Sequence, residues 1–122
     1  MEISMSLSIK TFKVYMPAKD FEISKRFYQE LGFNMSPGWG GTADFELDGN
    51  QFRLQDYYVK DWAENFMVTI GVDDVEVWHQ RALELLTSGE FKAISVKPPE
   101  PVDDWLVLHV VDPSGVLLVF VQ

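Results

Sequence analysis

Two histidines, His79 and His109, are the side chains of this chain whose unperturbed pKa lies near neutrality. There is no cysteine, so thiol nucleophiles, disulfides and thiolate metal sites are excluded. His109 lies in the alternating run Trp105–Val110. Glu46, which alternates with Phe45 and Leu47 and shares a face with Asp44, is its candidate partner. A His109–Glu46 pair would hold a metal ion or work as acid and base. The plainer reading is a hydrogen-bonded histidine with no chemistry. His79 is placed on the helix side opposite the apolar stripe and is expected to be solvated. No Ser/His/Asp arrangement is present, and Gly38-Trp39-Gly40-Gly41 lacks the spacing and lysine of a phosphate loop. No catalytic residue and no cofactor is assigned.

A second group of side chains suits binding better than catalysis. Alternation in four strand-like segments separates an apolar face from a mixed one. Phe12, Val14 and Met16 oppose Lys13 and Tyr15; Phe52 and Leu54 oppose Arg53 and Gln55. Val68, Ile70 and Val72 oppose Met67 and Thr69; Leu106, Leu108 and Val110 oppose Trp105 and His109. The apolar face suits packing under helices. The mixed face suits a cavity wall, with Glu46 and the loop tryptophans Trp39 and Trp62 added to the ligand-binding set. A water-covered sheet face would show the same pattern, and both tryptophans would serve equally in packing. Lys13 and Arg53 favour a ligand carrying carboxylate or phosphate. The formal net charge of −9 favours a cationic partner and works against nucleic acid.

The elements that must position these residues are written twice. Aligning Phe12–Leu31 with Phe66–Leu85 gives six identities in twenty positions. Each copy begins with an apolar, partly β-branched run, expected as a strand. An aspartate follows, Asp20 or Asp74, suited to cap a helix N-terminus. Helical stripes then run through Ile23, Phe27, Tyr28 and Leu31, and through Val75, Trp78, Ala82, Leu85 and Leu86. Gly32 and Gly89 follow as stops. Three strands are expected after each helix, at about 33–37, 42–48 and 51–57, then at about 91–96, 105–111 and 116–121. Asp48-Gly49-Asn50 and Asp112-Pro113-Ser114-Gly115 supply hairpin turns. Pro98, Pro99 and Pro101 exclude regular strand pairing and mark a loop. The order is βαβββ repeated.

A chain of 122 residues is expected to form one domain, residues 1–122. Module one covers about 7–57, a linker 58–65, and module two about 66–122. The start, MEISMSLSIK, is a poor signal peptide, and no apolar run approaches the ~20 residues of a membrane span. A soluble, cytoplasmic protein is expected.

KVYMPAKDFEISKRFYQELGF resembles the opening of vicinal-oxygen-chelate proteins, the glyoxalase, bleomycin-resistance and extradiol-dioxygenase superfamily. VDPSGVLLVFV resembles their closing signature. The resemblance covers about Leu7 to Val121. It implies an α+β fold of two tandem βαβββ modules, curved mixed sheets with helices outside, and a homodimer with two cavities. In metal-using members a His or Gln matches Lys13, a His matches Met67 and a Glu matches Val119. A fourth-strand carboxylate falls near Arg53 or Gln55. Lysine and arginine offer donors only, and methionine is soft for the divalent ions concerned. The resemblance therefore implies a metal-free, non-catalytic binder of the bleomycin-resistance type. A glyoxalase- or dioxygenase-like enzyme with a non-standard site is the alternative.

Overall fold

The computed structural model describes residues 6–122. The signal-peptide reading of the chain start rests partly on Met1–Met5, which lie outside the described residues. The elements run in chain order as β1 (Tyr15–Pro17), α1 (Phe21–Leu31), β2 (Asn34–Pro37), β3 (Ala43–Leu47), β4 (Asn50–Gln55), α2 (Lys60–Glu64), β5 (Met67–Gly71), α3 (Val75–Thr87), β6 (Ser95–Val102), β7 (Trp105–Val111) and β8 (Leu117–Val121). The strands form two four-stranded sheets of equivalent order, β1-β4-β3-β2 and β5-β8-β7-β6. In each, the first strand is parallel to the last and the other pairs are antiparallel. The duplicated sequence has produced a duplicated α+β topology.

The local causes are equivalent too. Asp20 caps α1 by accepting from Ile23 N at 3.2 Å, and Asp74 caps α3 by accepting from Glu76 N at 3.0 Å. Gly32 ends α1 at φ 133°, a conformation that a side chain would strain. The β3–β4 hairpin turns through Asp48 at φ 51° and Gly49 at φ 79°, as a two-residue loop of the primed kind requires.

Four expectations change. The first strand is shorter than the apolar run. Two residues before Tyr15, its parallel partner β4 has nearly reached the Asp48-Gly49 turn, so little ladder remains for Thr11 and Phe12. The linker contains α2. The three prolines do not form a loop: β6 runs through them as an edge strand, with an irregular register between Lys97 and Glu100. Edge position and a bulge are the two settings that tolerate a missing N–H. His79 is not solvated. It stands four residues after Val75 and three before Ala82, both fully buried, so it shares their stripe and its side chain is 13% exposed.

One core joins the modules on the helix-covered faces. Phe27 of α1 meets Phe91 edge-on at 5.6 Å, and Trp78 of α3 stacks on Phe120 at 4.9 Å. Tyr28 Oη donates to Asp112 Oδ2 at 2.6 Å, while Ser114 N and Val116 N donate to Asp112 Oδ1. Ser114 Oγ receives Lys19 N and lies 3.2 Å from Ser24 Oγ. The first module is thus bonded to the turn that launches the last strand of the second.

Burial, reinforced by Asp112, raises the Tyr28 pKa well above its ordinary value of 10.0. Tyr28→Phe should lower stability by about 1.5–3 kcal/mol in urea unfolding at neutral pH, the range for a hydrogen bond to a charged group. Above pH ~10 the unfolded chain releases the Tyr28 proton first, so stability present below that pH falls as pH rises. The variant should flatten that fall.

Candidate functional site

Residues of the mixed face meet in the first sheet through register. The row across β1, β4 and β3 is Tyr15, Arg53 and Asp44. Side chains in such a row share one face and lie in contact range. Arg53 Nε donates to Asp44 Oδ1 at 2.7 Å and its Nη2 donates to Oδ2 at 3.1 Å. Lys13 Nζ donates to the same Oδ2 at 2.9 Å. Arg53 Nη1 donates to Tyr15 Oη at 3.2 Å, and the guanidinium lies 5.5 Å from the Tyr15 ring centroid. One carboxylate therefore holds two cations, and the cluster retains one positive charge. Gly38 approaches it closely: a Cβ there would meet Asp44 Oδ1 at 2.9 Å and press on Thr42 Oγ1. The glycine turn, which lacks the pattern of a phosphate loop, makes room beside Asp44.

The remaining candidates lie elsewhere. Gln55 shares the Arg53 face of β4. Glu46 shares the Asp44 face of β3, but its Oε1 accepts from Gly49 N at 2.7 Å within the hairpin. Met67, Trp105 and His109 lie on the matching face of the second sheet. The row there is Thr69, Val119, His109 and Lys97. His109 Nδ1 is buried without a hydrogen bond, and the carboxylate nearby is Glu100 Oε1 at 3.8 Å. The expected His109–Glu46 pair does not form within the chain: each residue has its own neighbours on a different sheet. Trp62 of α2 packs with Tyr57 and Phe66. Trp39 stands 77% exposed on a 3-10 turn over Trp39–Gly41.

The pairing of Asp44 with Arg53 is not among the sequence expectations, although its signal is present. An Asp48-Gly49 two-residue turn sets Leu47 against Asn50, and counting back three pairs sets Asp44 against Arg53.

No protein-family model and no curated protein sequence matches the chain. Solved structures do match in fold. A bleomycin resistance determinant encoded on the transposon Tn5 superposes with TM-score 0.74 at 20% identity, covering 93% of this chain and 98% of that one. A bleomycin-binding protein from bleomycin-producing Streptomyces verticillus, complexed with copper(II)-bleomycin, superposes with TM-score 0.73 at 18% identity, covering 93% and 97%. A lactoylglutathione lyase from Agrobacterium tumefaciens superposes with TM-score 0.65 at 15% identity, covering 93% and 94%. The chain has the vicinal-oxygen-chelate fold.

The sequence resemblance puts Lys13, Met67 and Val119 at positions where metal ligands are expected, and the groups present here do not fit an ion. The Lys13 ammonium is engaged by Asp44 and has no lone pair while protonated. Met67 and Val119 offer a soft thioether and an alkyl group. Among the described residues no group of three or more His, Asp and Glu is arranged to hold a metal.

Arg53, with Lys13 assisting against partial burial, lowers the Asp44 pKa from 3.8 to about 2. The depressed value means stability present above pH ~4 is lost as pH falls through about 2. Asp44→Asn should remove this acid-side loss in thermal unfolding followed across that range, and added salt should weaken it in the parent protein.

Proposed function

We propose that the protein is a small-molecule binder of the bleomycin-resistance type, cytoplasmic and working without metal, cofactor or catalysis. Its ligand lies against the Lys13–Asp44–Arg53 face, closed over by the second-sheet face of another copy. The observation that carries this reading is the cluster itself: two cations on one carboxylate, preorganised beside the Tyr15 ring. A preorganised guanidinium loses less freedom when it grips an anion. The anchor on the ligand is therefore a carboxylate or phosphate next to an apolar body. Solved structures of the same fold include proteins described as bleomycin-binding and antibiotic-binding.

The second sheet supports the dimer. Its outer face carries Leu117, Val119, Val121 and Val111, all left partly exposed, with Met67 and Trp105 at its margins more exposed still. Apolar area of this extent on a sheet face marks an interaction surface. The charged face and the apolar face belong to different modules, so a symmetric pair of chains would oppose one to the other twice. Residues 1–122 act as one unit in this reading.

A second reading follows from His109. A buried ring nitrogen without a partner, with Glu100 nearby, is poised for proton transfer in an enzyme of the glyoxalase type. Stoichiometric nickel, zinc, iron or manganese in protein purified without chelator would select this reading over the first.

Thermal-shift screening of metabolite and drug-like compounds should give stabilisation by anionic ligands. Lys13→Ala and Arg53→Ala should each weaken such a ligand by about 1.5–3 kcal/mol; unchanged titration curves would exclude the cluster. Light scattering should give twice the chain mass, and a monomer at micromolar concentration would refute the dimer.

A further inference from the structure

A cavity at the seam between the modules does not belong to the charged face. It measures about 740 Å³, within the ~300–1,000 Å³ typical of small-molecule pockets. It lies on the helix-covered side, at the seam between modules, where β1 and β5 are each the end strand of their sheet. Val14 and Met16 line it from β1, and Phe66 through Asp74 line it from β5 onward.

Its floor is aromatic. Tyr28, Phe33, Phe52 and Trp78 line it, and they form a continuous set: Tyr28 to Phe52 at 4.9 Å, Phe33 to Phe52 at 5.4 Å, Phe33 to Trp78 at 6.2 Å. Ring faces carry negative potential. The Tyr28 hydroxyl is already committed to Asp112, so it is not free to donate to an anion. All the charged residues in the lining are acids: Asp48, Asp73 and Asp74. No lysine or arginine lines it. Asp74 is occupied as the cap of α3, whereas the carboxylates of Asp48 and Asp73 make no hydrogen bond or ion pair among the described residues. An aromatic lining and carboxylates without partners both favour positive charge.

We infer that this cavity is a second ligand site, for an organic cation: an ammonium or amidinium group carried on a flat aromatic body. The site is separate from the Lys13–Asp44–Arg53 cluster in place and opposite to it in charge. It also gives the strongly acidic net charge a local target, since long-range attraction would bring a cation towards the protein.

Isothermal titration calorimetry with 2-naphthylmethylamine, 2-naphthylmethanol and 2-naphthoic acid tests this with one aromatic body and three charge states. The amine should bind tightest and the acid weakest, with the amine's advantage shrinking as salt is added. Asp48→Asn combined with Asp73→Asn should reduce amine affinity roughly tenfold, a few-fold per carboxylate at partly exposed distances, and leave the alcohol nearly unchanged. Asparagine tolerates the positive φ of position 48, and both sites are at the surface, so folding should survive. Val77→Trp, at a lining position 65% exposed, should narrow the mouth and weaken amine and alcohol alike. Arg53→Ala should leave amine binding intact. Equal affinities for all three probes, an amine affinity unmoved by the double variant, or no saturable binding would overturn the inference. Tightest binding by the acid, abolished by Arg53→Ala, would overturn it as well while supporting the anion-binding face.

Discussion

A buried carboxylate holds the two halves of this molecule in register. Asp112 has no exposed surface, and its removal from water raises its pKa. A carboxylate in that setting without partners would cost several kcal/mol. It has three donors instead: the Tyr28 hydroxyl from α1 and two backbone N–H groups of its own turn. The same turn carries Ser114, which binds Lys19 N and meets Ser24. The helix of module one and the last hairpin of module two cannot shift independently without breaking this set. The helix-covered faces are thereby joined, and the other face of each sheet is left to meet something else.

Duplication supplied two equivalent scaffolds, and divergence gave their free faces different chemistry. Lys13 and Met67 occupy matching places in the repeat. Around Lys13 the lining is ionic, held by Asp44 and Arg53. Around Met67 it is aliphatic, with His109 the ring inside it. The backbone preserves caps, turns and strand order in both modules, because those depend on Asp20 and Asp74, on turn residues and on apolar alternation. The free face carries no such constraint and has been rewritten separately in each copy. That separation explains how one fold accommodates proteins described as resistance determinants and as a lyase.

Much of the architecture could be read from the residues. Asp20 and Asp74 announced both helices, Asp48-Gly49 announced the hairpin, and the repeat announced that the two modules would share an element order. The Tyr28–Asp112 bond could not be read, because partners 84 positions apart meet only through docking of the modules. The five residues of α2 are too short for a periodic signal. The misplacement of His79 was an error of phase around α3 rather than of physics. In a central strand each proline of β6 would cost a ladder bond to one neighbour or the other; at an edge a missing donor on the open side costs none. The cavity between the modules had no sequence signature, since Tyr28, Phe33, Phe52 and Trp78 come from separate segments and read as ordinary packing residues.

Those prolines also govern how the second sheet meets other extended chains. Three of the eight residues of β6 present no N–H, and its register is interrupted. A stray extended chain finds no regular template along that border. The opposite border, β5, carries no proline and runs along the seam between the modules. Fibrous growth, which needs two receptive sides per molecule, is thus stopped at one of them.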